Sequence, residues 1–272
     1  MGIVFGVRLT IMAITNRSII PNSDKKPTGS IAHATNVLIC LSNDINTITD
    51  IARECNLGKS SVHRVLKLLA EQYLVVRDNI NRRYYLGPLI NKLASNPATA
   101  HEYLVICANE EMKQLSDISE ETVALDIMIG IQYYSLHEIR SRHDLKVTQE
   151  SRRMRPLDAG ASVKVLLSQL SDEKLKVVMD NLDITQVTQR TITNKELLLA
   201  QLKEIRQQGY SISYGEQIFG ALCISAPIKN YVLPVALSVV GLENRLQSRV
   251  KEVTQELVAS AGCITDRISS IY

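Results

Sequence analysis

Six residues with basic or hydroxyl-bearing side chains recur along Lys59–Gln72: Lys59, Ser60, Ser61, His63, Arg64 and Lys67. Val62, Val65, Leu66 and Leu69 interleave with them at the three- and four-residue spacing of a helix, so the apolar set takes one face and the polar set the other. Cationic and hydroxyl donors gathered on one helical face suit a polyanion. An α-helix fits the major groove of duplex DNA, where base edges are distinguishable, and phosphates accept from Arg, Lys, Ser and backbone amides. Arg77, Arg82 and Arg83 follow shortly after, placed to reach phosphates. Each phosphate neutralised on a duplex adds about 0.9 to the log–log salt slope of binding. Nothing near His63 completes a metal site, so it reads as a surface or phosphate-adjacent residue and no metal is expected.

The elements around that helix must hold it out. Ser30 is positioned to cap a first helix, Ile31–Leu41, with Ile31, Ala34, Val37, Leu38 and Leu41 at helical spacing. Thr47 starts a short second helix with Ile48, Ile51 and Ala52 facing inward, and Asn56-Leu57-Gly58 supplies a tight turn into the basic helix. Tyr73–Arg77 and Arg83–Leu86 read as strands around the polar turn Asp78–Arg82, closed by Gly87-Pro88. Residues 30–87 are therefore expected to form a winged helix-turn-helix that docks on double-stranded operator DNA.

Charge follows the same division. Residues 1–100 carry 12 Lys/Arg against 6 Asp/Glu, whereas residues 101–272 carry 19 against 22. The 272-residue chain is long enough for two ordinary domains, and at 45% hydrophobic and 22% charged it has a globular rather than a disordered composition. No apolar run approaches the roughly 18 residues of a membrane span, so no membrane partner is expected. Trp is absent and Phe occurs twice, which argues against base-stacking platforms. The five cysteines, Cys40, Cys55, Cys107, Cys223 and Cys263, are odd in number, widely spaced and without a C-x-x-C, which fits a reducing cytoplasm better than a disulfide framework.

Residues 1–29 read as a flexible leader. Met1–Ile14 is apolar with Arg8 inside it and lacks the small-residue cleavage site of a secretory signal. Met12 is a second candidate start, and the polar PNSDKKPTG stretch is broken by two prolines.

Enzyme chemistry is harder to assemble. Cys223 is a candidate nucleophile, but a nucleophile needs a base within hydrogen-bond reach, and no motif ties His137 or His143 to it. The chain contains no G-x-x-x-x-G-K-[ST], H-E-x-x-H or G-x-S-x-G. Neither catalysis nor a cofactor is expected. The alternatives are a cysteine-dependent enzyme, or a winged-helix ligand sensor that does not touch DNA.

Beyond residue 97 the pattern alternates helices and strands. Ala98–Ser119 reads as a helix, Thr122–Ile129 and Gln132–Ile139 as strands, and Leu145–Gln149 as another strand. Gly160–Leu170 and Ser171–Leu182 read as helices, and Thr193-Asn194-Lys195-Glu196 as a capping box opening a helix that stops at Gly209. Tyr210–Tyr214, Phe219–Ile228 and Val235–Val240 read as strands before a final helix, Glu243–Ser269. The fold class is α+β.

Together these segments resemble the IclR family of bacterial transcription regulators. The similarity is carried by ITDIARECNLGKSSVHRVLKLL after Thr47, the wing ending Tyr84-Tyr85-Leu86-Gly87, and the helix Pro88–Ala94. It continues through Arg155–Leu167, Gly209–Pro227 and Ala236–Gly241. The resemblance implies a linker helix over 88–100 and a GAF-like effector-binding and oligomerisation domain over 101–272. It also implies a homodimer or dimer of dimers and, as a family-level expectation, repression. Matching motif to motif, it places a small-molecule effector, expected to be a carboxylic acid, at Ala161, Ser162, Ser213, Cys223, Ser238 and Val240. Free amides at the start of the 160s helix would suit such an anion. Asp158 stands where the family usually has His, Val163 where it has Gly, and Val240 where it has a hydroxyl, so a pocket of different polarity is expected.

Overall fold

The structure is a computed structural model that describes residues 29–149 and 151–270. The expected leader 1–29 lies, Gly29 apart, outside the described residues. The chain divides into two compact units between Asn96 and Pro97.

The first unit runs α1 (Ser30–Ser42), α2 (Ile48–Cys55), α3 (Lys59–Glu71), β1 (Val75–Arg77), β2 (Tyr84–Leu86) and α4 (Pro88–Ala94). Ser30 does not cap α1: Gly29 holds the N-cap position and no side chain closes it. Thr47 does cap α2. Its hydroxyl oxygen accepts the Asp50 N–H at 3.2 Å while the hydroxyl donates to Asp50 Oδ2 at 2.6 Å, and Arg53 meets the same carboxylate at 2.8 Å. Asn56 ends α2 in the left-handed region at φ 53°, which aims the chain into α3. Val37, Ile51, Val62 and Leu66, one or two from each helix, have no exposed surface and form the centre of the core.

The wing is an antiparallel pair, Val75 opposite Leu86 and Arg77 opposite Tyr84. Asp78 organises its turn by accepting from the Ile80 N–H at 2.8 Å and from Asn81 Nδ2 at 2.7 Å. These bonds, the Ile80 amide first, hold its carboxyl below the usual range. At the other end, Gly87 donates its N–H to Leu74 O at 2.8 Å and Leu89 donates to Tyr73 O at 3.1 Å. A Cβ on Gly87 would collide with the backbone of Tyr73 and Val75, so the position requires glycine.

The second unit opens with two helices, α5 (Pro97–Ala100) and α6 (Glu102–Ser119), where the sequence suggests one; the break falls at His101. It continues with β3 (Thr122–Ile129), β4 (Gln132–Ile139), β5 (Met154–Pro156), α7 (Ala161–Ser168), α8 (Asp172–Asn181) and α9 (Lys195–Gln208). It closes with β6 (Ser211–Tyr214), β7 (Ala221–Ile228), β8 (Val235–Leu242), α10 (Glu243–Leu246) and α11 (Val250–Ser269). A 3-10 turn, Gln247–Arg249, interrupts the expected final helix. The strands form one antiparallel sheet in the order β5-β4-β3-β8-β7-β6.

Two expectations are corrected. Leu145–Gln149 is not a strand. It is tied to the sheet through side chains, Thr122 Oγ1 donating to Val147 O at 2.6 Å and the Gln149 N–H to Glu138 Oε2 at 2.9 Å, and the edge strand is β5 instead. Helix α9 is capped by Asn194, whose side chain accepts the Leu197 N–H at 3.0 Å, rather than by a Thr193–Glu196 box.

Alternation sorts the sheet residues onto two faces. Val123, Leu125, Ile127, Leu222, Ile224, Leu237 and Val239 pack against Leu104, Met112 and Leu115 of α6 and Val253, Leu257 and Ile264 of α11. The opposite face, covered by α7, carries small and polar groups in register. Ser213 pairs with Cys223 and Cys223 with Val240; Ser211 pairs with Ser225 and Ser225 with Ser238; Asp126 lies between Ala236 and Ser135. A bulge at Leu125/Asp126 shifts the β3–β4 register, so Glu138 rather than His137 returns to the α7 face.

Candidate functional site

In the first unit the buried stripe of α3 is Val62, Val65, Leu66 and Leu69, as its spacing requires. That burial leaves Lys59, Ser60, His63, Arg64 and Lys67 exposed, with Ser61 half-buried. Gly58 holds the N-cap position of α3 and no side chain caps it, so the helix start presents its amides outward. Arg82 and Arg83 are exposed on the wing turn, and the Arg77 guanidinium sits 5.7 Å from the Tyr84 ring centre. The wing tip also presents Ile80, 91% exposed. The sequence reading passed over this residue because one isoleucine inside a polar turn has no periodicity.

In the second unit, helix α7 begins against the sheet. The Ala161 N–H donates to Ser213 Oγ at 3.1 Å, so that amide is not free as the sequence suggested. Ser162 offers its N–H to the Cys223 thiol. Burial, reinforced by Asp126, pushes that thiol up to about 12. A thiol held protonated in this way is a poor nucleophile at neutral pH. Gly160, Ser213, Cys223 and Val240 line a cavity of about 10 Å³ together with Gln149, Glu216, Gln217, Ile218 and Ala221. Ala161, Ser162 and Ser238 do not line it. Ser238 is fully buried and donates to Ser225 Oγ at 2.9 Å.

A larger recess of about 360 Å³ lies beside it, lined by Arg153, Met154, Arg155, Pro156, Asp158, Val187, Gln217 and Ile218. Gln217 and Ile218 border both, and Gln217 Nε2 donates to Tyr133 OH at 3.1 Å. Lys164 of α7 is buried and pairs with Glu216 at 2.6 Å and Gln201 at 3.2 Å. A lysine inside the apolar run Val163–Leu167 was a visible signal for a buried partner. Its partner stands 52 residues away, so the pairing was not legible.

Two stretches of the chain match known domain families. Residues 30–79 match the IclR helix-turn-helix domain, and residues 98–266 match the bacterial transcriptional regulator IclR C-terminal domain. The chain belongs to the IclR family.

Its IclR-family relatives include the regulator KdgR of Dickeya chrysanthemi, 27% identical over 83% of this chain and 75% of that one. KipR of Bacillus subtilis is 27% identical over 82% and 89%. Among solved structures, an IclR-family regulator from Rhodococcus superposes with TM-score 0.69 at 21% identity, covering 90% of this chain and 97% of that one. An IclR homolog complexed with 4-hydroxybenzoate, from Microbacterium hydrocarbonoxydans, has TM-score 0.58 at 22% identity over 89% and 100%. The IclR chain described here is thus a transcriptional regulator with an N-terminal helix-turn-helix and a C-terminal effector domain. No helix among the described residues is long and apolar enough to cross a membrane.

Proposed function

We propose that the protein is a cytoplasmic, operator-binding repressor whose DNA affinity is set by a small carboxylic acid bound beneath α7. Helix α3 enters the major groove, with Lys59, Ser60, Ser61, His63, Arg64 and Lys67 meeting bases and phosphates, while Arg77, Arg82 and Arg83 of the wing hold the backbone. The observation that carries this reading is the outer face of α3, polar, basic and uncapped at its start while its apolar face is sealed. The protein acts as a homodimer or dimer of dimers, reading half-sites about 34–36 Å apart or a multiple of that spacing.

The effector reading is supported by the recess between β5 and the Gly215–Gly220 loop, which shares Gln217 and Ile218 with the small cavity beside the start of α7, and by the IclR homolog complexed with 4-hydroxybenzoate. Of the residues matched by resemblance, Ser213, Cys223 and Val240 line the small inner cavity, and Ala161, Ser162 and Ser238 line neither space. An acid that changes operator affinity must bind the DNA-competent and incompetent states unequally. Operators selected from genomic DNA by the purified protein, then titrated with acids in a salt-controlled mobility shift, test the reading. Retarded DNA released by an acid supports it. Absence of salt-dependent DNA binding overturns the regulator arm, and acids without effect on bound DNA overturn the effector arm.

A further inference from the structure

The first unit holds two cysteines, Cys40 and Cys55, and they face each other. Cys40 lies near the end of α1 and is 4% exposed; Cys55 is the last residue of α2 and is half-buried. Both are free thiols, with their Sγ atoms 3.5 Å apart. Packing alone accounts for one buried cysteine, which behaves as a small hydrophobe. It does not call for a second thiol against the first.

The backbone is fixed on one side of the pair and free to yield on the other. The Cys40 carbonyl accepts the Asn43 and Ile45 N–H groups, each at 3.0 Å, and its side chain belongs to the three-helix core with Val37, Ile51 and Leu66. Cys55 stands at a helix end. Asn56 follows it in the left-handed region, and only Asn56 and Leu57 separate it from Gly58, the N-cap of α3. Sulfurs in a disulfide are about 2.05 Å apart, so bonding draws this pair together by about 1.5 Å. The end of α2 supplies that movement, and the turn that aims α3 moves with it.

Exposure divides the roles. The half-buried Cys55 meets an oxidant from solvent. Cys40, whose thiol is pushed up to about 12 by burial and by Cys55, keeps its proton at neutral pH and reacts second. A hydroperoxide gives one oxygen to the Cys55 sulfur: the S–O bond forms, the O–O bond breaks, and the thiol proton leaves with the other oxygen as water when the oxidant is hydrogen peroxide. Cys40 Sγ then displaces the sulfenic oxygen: the S–S bond forms, the S–O bond breaks, and the Cys40 proton leaves with that oxygen as a second water. Two thiols are oxidised and one peroxide is reduced.

We infer that Cys40 and Cys55 are a peroxide-responsive pair whose reversible disulfide displaces the start of α3 and lowers operator affinity. This rests on the operator-binding reading above and adds a second input to it. In a reducing compartment such a pair stays as thiols, and disulfides that do form there are characteristically transient and redox-sensing. Hydrogen bonds to base edges tolerate only about 0.5 Å, the width of their distance range, so the displacement breaks them.

The full chain carrying Cys263→Ser, which removes the exposed thiol, is reduced and then treated with hydrogen peroxide. Peptide mapping without reductant reads the cross-link, and fluorescence anisotropy on a selected operator reads affinity. The expected result is a Cys40–Cys55 peptide, operator affinity lowered tenfold or more, and full recovery in dithiothreitol. Cys55→Ser and, separately, Cys40→Ala abolish both the cross-link and the response. Absence of the Cys40–Cys55 peptide overturns the inference. So does a cross-link that changes affinity less than threefold, or an equal loss of affinity in the two variants. In each of these outcomes the reduced chain still binds its operator and the regulator reading stands; a reduced chain that binds no operator overturns both.

Discussion

Ser213 Oγ accepts the first backbone N–H of α7, that of Ala161, at 3.1 Å. A serine on one strand thus occupies the amide that a ligand oxygen would otherwise seek, and it fixes the start of α7 to the sheet. Ser213→Ala removes a side-chain-to-amide bond at a helix start, a loss of about 1 kcal/mol. Chemical denaturation reads that loss. Because the amide becomes available to an anion, the thermal shift given by a bound carboxylic acid is retained or enlarged in the variant. A smaller shift contradicts this account.

Arg64 lies on the exposed face of α3, between the buried Val62 and Val65. Arg64→Ala weakens operator binding about tenfold while leaving the denaturation midpoint unchanged. If the contact is to a phosphate, the log–log salt slope falls by about 0.9. Fluorescence anisotropy at several salt concentrations measures both, and unaltered affinity at moderate salt refutes the docking face.

Lys164 and Glu216 form an ion pair at 2.6 Å with side chains 4% and 11% exposed. Removing one partner strands the other charge, at a cost of about 3–5 kcal/mol. Lys164→Met and Glu216→Gln are each strongly destabilising in urea melts. The double variant recovers much of the loss, and strict additivity of the two changes would contradict the pairing.

Asp126 gives stability an unusual pH dependence. Burial first, against weaker help from Ser135 and Arg155, raises its carboxyl from 3.8 to about 7. Between those values the folded chain keeps a proton that the unfolded chain has lost, so this group's contribution falls as pH rises from about 4 to 7. Asp126→Asn removes the penalty. The variant gains on the order of 2–4 kcal/mol at pH 8, and the gain has largely vanished near pH 4. Melts at the two pH values report it, and equal gains at both refute it.

The cysteines differ in reactivity. Cys263 is exposed, whereas Cys40 is buried with its Sγ 3.5 Å from that of Cys55 and its thiol pushed up to about 12. Burial is the main cause, with Cys55 contributing. A thiol-specific chromogenic reagent at neutral pH labels Cys263 first and Cys40 only on unfolding. Early modification of Cys40, read by peptide mapping, is the result that would contradict this.

Periodicity made much of this fold legible. The apolar stripe of α3 and the strand limits Thr122–Ile129 and Gln132–Ile139 agree with the sequence reading because each is set by local alternation, and the helix Pro88–Ala94 agrees with what the family resemblance implied. What stayed hidden is non-local. The bulge that turns His137 off the α7 face cannot be read from β4 alone. The segment Leu145–Gln149 looks like a strand, yet Thr122 and Glu138 hold it by side chains. Asp126 resembles a polar residue on the wet face of a strand, and only the α7 cover buries it. The cavity lining is legible in part for the same reason. Ser213, Cys223 and Val240 were reached by matching motifs, whereas Gln149 and Gln217 join them only through the chain's return.

Gly87 has a mechanical consequence. Its amide and that of Leu89 are fastened to Leu74 and Tyr73 at the exit of α3, and no Cβ fits between them. The root of α4 is therefore a welded joint and not a hinge. A side chain at position 87 is expected to pry α4 from the exit of α3, and a lower denaturation midpoint of Gly87→Ala would report it.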